Sequence, residues 1–329
     1  MTLNTSQTYL IMKYCFIFLL LIGIVGCDSK SSKEKDIENI PINIQIVRFD
    51  KEFSEARVED LAELKERYPL FFPKQYADSI WEQRIKDTLQ QQLYKEVSLV
   101  FPDEIELESQ LEALFQHIKY YFPQFRTPVI YTTISDVDYR NKVILADEIL
   151  LIAVDTYLGE NHRFYDGIQK YLRKNLKVSQ LVPDIAAQYA GQFISKPQER
   201  SLLAQMIYFG KELYLKDLWM PDTSDPDKIG YTEDEFLWVK ENEVEMWRYF
   251  IEEELLFSTN AKLMPRFVDP APFSKFYLEI DNESPGMIGR YLGWQIVRSY
   301  MNHNPVSIQE LMSRDGHEIF NKSKYKPKK

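Results

Sequence analysis

Cysteine is nearly missing from this 329-residue chain: Cys15 and Cys27 are the only two, and both lie within the first 27 residues. Everything beyond them is therefore without a disulfide to staple it and without a thiol nucleophile. Histidine is also scarce, and His117, His162, His303 and His317 stand far apart. A peptidase zinc site needs two histidines one helical turn apart with a glutamate between them, so that both imidazoles reach one metal. The helical stretch Val182–Phe193 has neither residue type, which excludes a site of that kind; no cofactor is expected. No glycine-rich phosphate loop and no Gly-x-Ser-x-Gly elbow occur. Basic excess is missing too. Against 40 Lys and Arg stand 50 Asp and Glu, a net charge of −10, which argues against nucleic acid and against direct adhesion to anionic lipid, since both work through basic patches.

Long apolar runs are absent as well, and the one candidate is instructive. Tyr14–Gly26 is about 13 residues, follows the single basic residue Lys13 and ends on a small residue before Cys27. A membrane span needs about 20 apolar residues, so this run reads as a secretory signal. Ile24-Val25-Gly26-Cys27 resembles a bacterial lipobox, which makes Cys27 the expected lipid attachment point, palmitate included, and residues 1–26 the signal peptide. Residues 27–40 are polar and are expected to be a flexible tether with a reach of roughly 20 Å. Loss of Lys13 with the signal takes the net charge from −10 to −11.

The full sequence is 45% hydrophobic and 14% aromatic, enough for one large core. Alternation over 41–50 predicts a strand, and strands follow at 128–134, 142–146 and 149–154, with Asp147-Glu148 as a turn. Helical spacing appears over 54–67, 76–100, 103–121, 162–175, 181–195, 199–217, 232–258, 285–302 and 306–314. The expectation is one predominantly helical α+β domain over 41–315 with a small sheet of about four strands, then a basic tail, 316–329. That tail is expected to be a solvated end, although its tyrosine would let it dock.

Two helical stretches depart from ordinary amphipathic patterning. Glu243 and Glu254 interrupt the apolar stripe Phe236, Val239, Met246, Trp247, Phe250 and Phe257, and charge on such a stripe needs a partner. In the second stretch, Ser284-Pro285 reads as a helix start, and Gly286, Gly289 and Gly293 recur at helical spacing. Glycine weakens a helix interior by up to about 1 kcal/mol, a cost that makes sense where another backbone packs closely. Arg290, Trp294 and Arg298 share one face at i, i+4 and i+8. The simplest solution is a latch in which at least one of these glutamates pairs with one of these arginines; a ligand clamp is the alternative.

The runs Glu283–Met301, Met206–Tyr214, Tyr157-Leu158-Gly159 and Lys324–Lys328 resemble the gliding-motility lipoprotein family GldB of Bacteroidota. That family is distantly similar to zinc peptidases whose second helix carries a Glu-Gly pair; Phe209-Gly210 stands at the comparable place here. The resemblance implies a peptidase-like shell without its metal site, a pseudoenzyme. It also implies a cell-envelope lipoprotein with a periplasmic body, needed for gliding and acting with other gliding lipoproteins and envelope secretion or motility proteins. Other readings stay open: an envelope peptidase or glycan hydrolase, since 50 acidic residues allow many carboxylate pairs, or a carbohydrate or peptidoglycan binding module, suggested by 21 tyrosines and 5 tryptophans.

Overall fold

The computed structural model describes residues 32–277 and 281–327. Cys27 and the signal segment lie outside the described residues. Within the expected tether, Ser32–Glu38 forms a short helix, α1, with Glu34 in its first turn and Lys35 in its last, charges that complement the helix dipole. This helix belongs to a unit ending at Ile40, and the body begins at Pro41.

The body is predominantly helical with one small mixed sheet. Strands β1 (Gln45–Val47), β2 (Val129–Thr133), β3 (Val143–Ala146) and β4 (Ile149–Ala153) lie in the order β1-β2-β4-β3. β1 and β2 are parallel, as are β2 and β4, while β3 and β4 form an antiparallel hairpin. Its turn is Asp147-Glu148, with Asp147 at φ 49°, the left-handed backbone that a tight hairpin turn requires. The 41–50 strand is shorter than expected because Phe49–Glu55 turns into helix α2.

Helices α3 (Leu61–Arg67), α4 (Asp78–Ile85), α5 (Thr88–Val100) and α6 (Ile105–Tyr121) follow, the 76–100 stretch being split where Asp87 caps α5 through Leu89 N–H. A separate aromatic cluster forms under α2 and α3, where Phe49 stacks on Phe71 at 3.8 Å between ring centroids. After the sheet, only Lys170–Arg173 (α7) of the expected 162–175 helix forms. Then come α8 (Leu181–Phe193), α9 (Leu202–Trp219), α10 (Asp225–Ile229), α11 (Glu233–Glu241), α12 (Glu243–Glu252), α13 (Leu263–Phe267), α14 (Ile288–His303), α15 (Ile308–Ser313) and α16 (Gly316–Ser323).

The main core is centred on α9 against α14. A Cβ placed on Gly293 would sit 1.9 Å from the Met206 carbonyl oxygen, and one on Gly210 would sit 2.4 Å from the Gly293 carbonyl carbon. Gly289 meets the Phe267 carbonyl in the same way, at 2.9 Å. The close packing expected from the glycine spacing is thus backbone on backbone. The start of α14 is later than expected. Ser284 does not cap it; its hydroxyl accepts from Ser274 N–H and sits 2.8 Å from the Asp281 carbonyl. Met287, at φ 60°, takes the N-cap position instead.

The C-terminal segment is not a solvated end. α16 packs along α14, where Ser299 donates to the Ser323 carbonyl at 2.7 Å. Beyond it, Tyr325 donates its hydroxyl to Glu243 at 2.8 Å. The tyrosine supplies apolar area as well as a hydrogen-bond donor, so docking wins over solvation of the neighbouring lysines.

The seam makes Gly293→Ala a direct test. In an exposed helix interior that change gains up to about 1 kcal/mol; here the new methyl collides with a main-chain carbonyl, and we expect a loss of about 3 kcal/mol, the upper end for overpacking. Chemical denaturation of the two proteins measures it.

Candidate functional site: a charged latch beside an arginine-lined cleft

α14 presents the expected face, but its partners differ from those expected. Trp294 is fully buried and its indole N–H donates to Asp217 at 2.8 Å. The Arg298 guanidinium lies 3.7 Å from the indole centroid. It donates two bonds to Asp217, both 2.7 Å, and two to Asp225, both 2.9 Å. Lys228 joins them, 3.2 Å from Asp217 and 3.6 Å from Asp225. Two cations and two carboxylates close a neutral, half-buried network. Burial works against the Arg298 charge, yet the two aspartates outweigh it and hold its pKa above the ordinary arginine value. Burial likewise pushes the Asp225 carboxyl up, and Arg298 with Lys228 outweighs it and leaves that pKa lowered.

Local sequence puts these groups in place. Asp217 is in the last turns of α9, the helix locked to α14 by the glycine seam. Asp225 opens α10, which Ser224 caps by accepting from Asp227 N–H, with Pro226 in the first turn. Gly230, at φ 78°, ends it in the left-handed region.

No glutamate–arginine pair forms between the four residues expected to make one. Glu243 is buried at the first position of α12 and accepts from the hydroxyls of Tyr291 and Tyr325, both at 2.8 Å. Burial, reinforced by the Glu243 charge, raises both phenol pKa values. Glu254 is exposed, at φ 53° just past α12. The physical reason is the break at Asn242 and the end of the helix at Glu252. A 3.6-residue spacing carried across 232–258 assumed one helix, and two separate axes rotate Glu243 to a helix start and drop Glu254 from the stripe. A buried carboxylate at a helix N-terminus is also favoured by the dipole.

Arg290 parts from Arg298. Its Nε donates to the Val268 carbonyl at 2.7 Å and its guanidinium lies 3.8 Å from the Phe209 ring centroid. Burial lowers its pKa, with Glu212 and Asp269 offsetting part of the effect. It lines a cleft of about 260 Å³ shared with α8, α9 and α10, which also carries Lys142, Lys174, Lys216, Lys228, Asp184 and Glu212.

Of the residues singled out in the sequence, Arg290, Trp294 and Arg298 therefore share one helix face, Glu243 meets α14 through Tyr291 rather than through either arginine, and Glu254 is elsewhere. Asp217 and Asp225 were missed. Residues 220–230 have the composition of a loop between helical blocks, yet Asp225–Ile229 is a short capped helix, and nothing in the sequence orients Asp225 toward Arg298. The four histidines lie apart: His117 and His303 bond to carbonyls of their own helices, while His162 meets Glu96 and His317 meets Glu199. Among the described residues no group of three or more His, Cys, Asp or Glu is arranged around a metal-sized position.

Fold and site together define a predominantly helical α+β body closed by a helix seam and an ionic latch; among the described residues, no helix is long and apolar enough to cross a membrane. Residues 30–327 match the family model described as gliding motility protein GldB, and the chain belongs to that lipoprotein family. Membership brings a role in gliding motility and association with the cell envelope. No curated protein and no solved structure matches the chain.

Arg298→Ala would leave Lys228 as the one cation bridging Asp217 and Asp225. Surface pairs are worth up to about 1 kcal/mol and breaking buried ones costs about 3–5; at 26% side-chain exposure for Arg298 the expected loss is about 2 kcal/mol by chemical denaturation at neutral pH. The Asp225 share has a defined pH dependence. Its folded pKa is below the ordinary 3.8, so its stabilisation is complete above that value and disappears as pH falls through the lower folded one. Asp225→Asn should be less stable than wild type at neutral pH and should lose less on acidification.

Proposed function

We propose that the chain is a lipid-anchored, non-catalytic component of the gliding machinery, a pseudoenzyme on a peptidase-like shell, whose rigid body assembles or stabilises neighbouring envelope proteins from the periplasmic side. One observation carries this reading: most of the stretch with the family likeness, Arg290 apart, is used up by internal packing. Its glycines meet the backbones of α9 and of the segments before α14, and Trp294 and Arg298 are held by aspartates. Chemistry on substrate would need such groups directed outward. Phe209 supports the reading further, because an aromatic ring under Arg290 stands where the zinc peptidases carry a glutamate. The aromatic content also goes largely inward, with Trp219, Trp294, Tyr157, Tyr165 and Tyr300 among the largest fully buried side chains, which favours core over a sugar-binding groove. The anchor is Cys27, through the lipobox, and the partners are other gliding lipoproteins and envelope secretion or motility proteins.

The test has two arms. Cys27→Ala should lose radiolabelled palmitate, leave the membrane fraction and stop gliding; a variant that remains labelled and membrane-bound contradicts the anchor. Crosslinking of the lipidated wild type in its own envelope should join it to gliding or secretion proteins. Failure to crosslink to any of these contradicts the assembly role.

A further inference from the structure

The cations lining the cleft are unequal. Lys142 is paired with Asp184, Lys174 with Glu235, Lys216 with Glu212 at 3.4 Å, and Lys228 with Asp217 at 3.2 Å. Arg290 has no carboxylate within salt-bridge distance among the described residues; its Nε is taken by the Val268 carbonyl, while no acceptor among those residues meets its two Nη groups. The Phe209 ring, 3.8 Å from the guanidinium, fixes the plane of the fork and leaves its edge as the donor surface. A largely buried guanidinium without an anion is costly, since its attraction to a partner normally offsets the loss of hydration. The start of α14 adds to the same potential: Gly286 and Met287 line the cleft, and no side chain caps that helix end.

We propose that this cleft is a binding site for a small carboxylate-bearing ligand, with the carboxylate taken bidentately by the two Nη groups of Arg290. The planar, two-donor fork matches a carboxylate. The charge count points the same way. With the four lysines already paired, the cleft offers one uncompensated positive charge, which suits a monoanion over a phosphate dianion. The volume of about 260 Å³ lies just under the usual range for small-molecule sites, so it takes an amino-acid-sized group. Glu212 bounds the affinity, because its carboxylate in the lining repels the ligand. The cleft shares Lys228 with the latch, but Arg290 makes no bond to that network, and the proposal does not rest on the assembly role.

The experiment is calorimetric titration of the full mature chain with N-acetylalanine, its neutral primary amide and inorganic phosphate. N-acetylalanine should bind saturably, the amide should not, and phosphate should bind more weakly. Arg290→Lys keeps the charge and loses the fork, and should weaken N-acetylalanine by about tenfold. Glu212→Gln removes a carboxylate from the lining and leaves Lys216 without that ion-pair partner, so it should tighten N-acetylalanine by a few-fold, on the order of 0.5–1 kcal/mol. If Arg290→Lys does not fold, Glu212→Gln decides alone, and unchanged affinity there overturns the proposal. So does no binding of N-acetylalanine up to about 10 mM, equal binding of the amide, or phosphate binding as tightly as the carboxylate.

Discussion

The contact on which the rest of the molecule depends is the one between the backbones of α9 and α14. Helices that meet through side chains sit about 8–10 Å apart; Gly210 and Gly293 remove the side chains at the crossing and let main chain touch main chain. Such a contact admits only one offset, because sliding either helix by a residue brings a Cβ into a carbonyl. The seam sets where Trp294 and Arg298 arrive relative to Asp217. It also sets where Tyr291 arrives relative to Glu243, and where Ser299 presents its hydroxyl to the C-terminal helix.

The ionic latch is best understood as a consequence of that offset. Removing Arg298, Lys228, Asp217 and Asp225 from water carries a penalty that their mutual attraction only partly exceeds, so a buried network is weak evidence for large net stability. Its effect is on specificity. Bidentate geometry at both aspartates penalises any arrangement in which α10 or the end of α9 shifts, because one charge would then be left alone. Arg290, one helical turn from Trp294 on the same face, has an aromatic ring and a carbonyl in place of carboxylates. The same α14 surface thus holds one arginine committed to structure and one with donors to spare.

Much of this was legible in the sequence, and the failures have a common cause. The α+β class, the β3–β4 hairpin with its Asp147-Glu148 turn, and the close approach at Gly289 and Gly293 all follow from local patterning, which reports on one element at a time. The partners of Glu243, Arg290 and Arg298 did not. They depend on where helices stop, and the break at Asn242 changed the direction of everything after it. Lysines dominate 322–329 and give it the pattern of a solvated end; the half-buried phenol of Tyr325 instead bonds to Glu243, 82 residues away in the chain. Charge on an apolar stripe signals a partner for Glu243 but not for Glu254, which the helix end leaves exposed, and the sequence holds no information on whether the partner is a guanidinium or two phenols.

If the α9–α14 seam is the contact on which the body depends, its amides should be the last to open. Native-state hydrogen exchange across the full chain measures this residue by residue. The account predicts that interior amides of Leu202–Trp219 and Ile288–His303 exchange only through global unfolding, after those of Phe49–Glu55 and Leu61–Arg67 in the separate aromatic cluster. Exchange of the two seam helices before that cluster would contradict it.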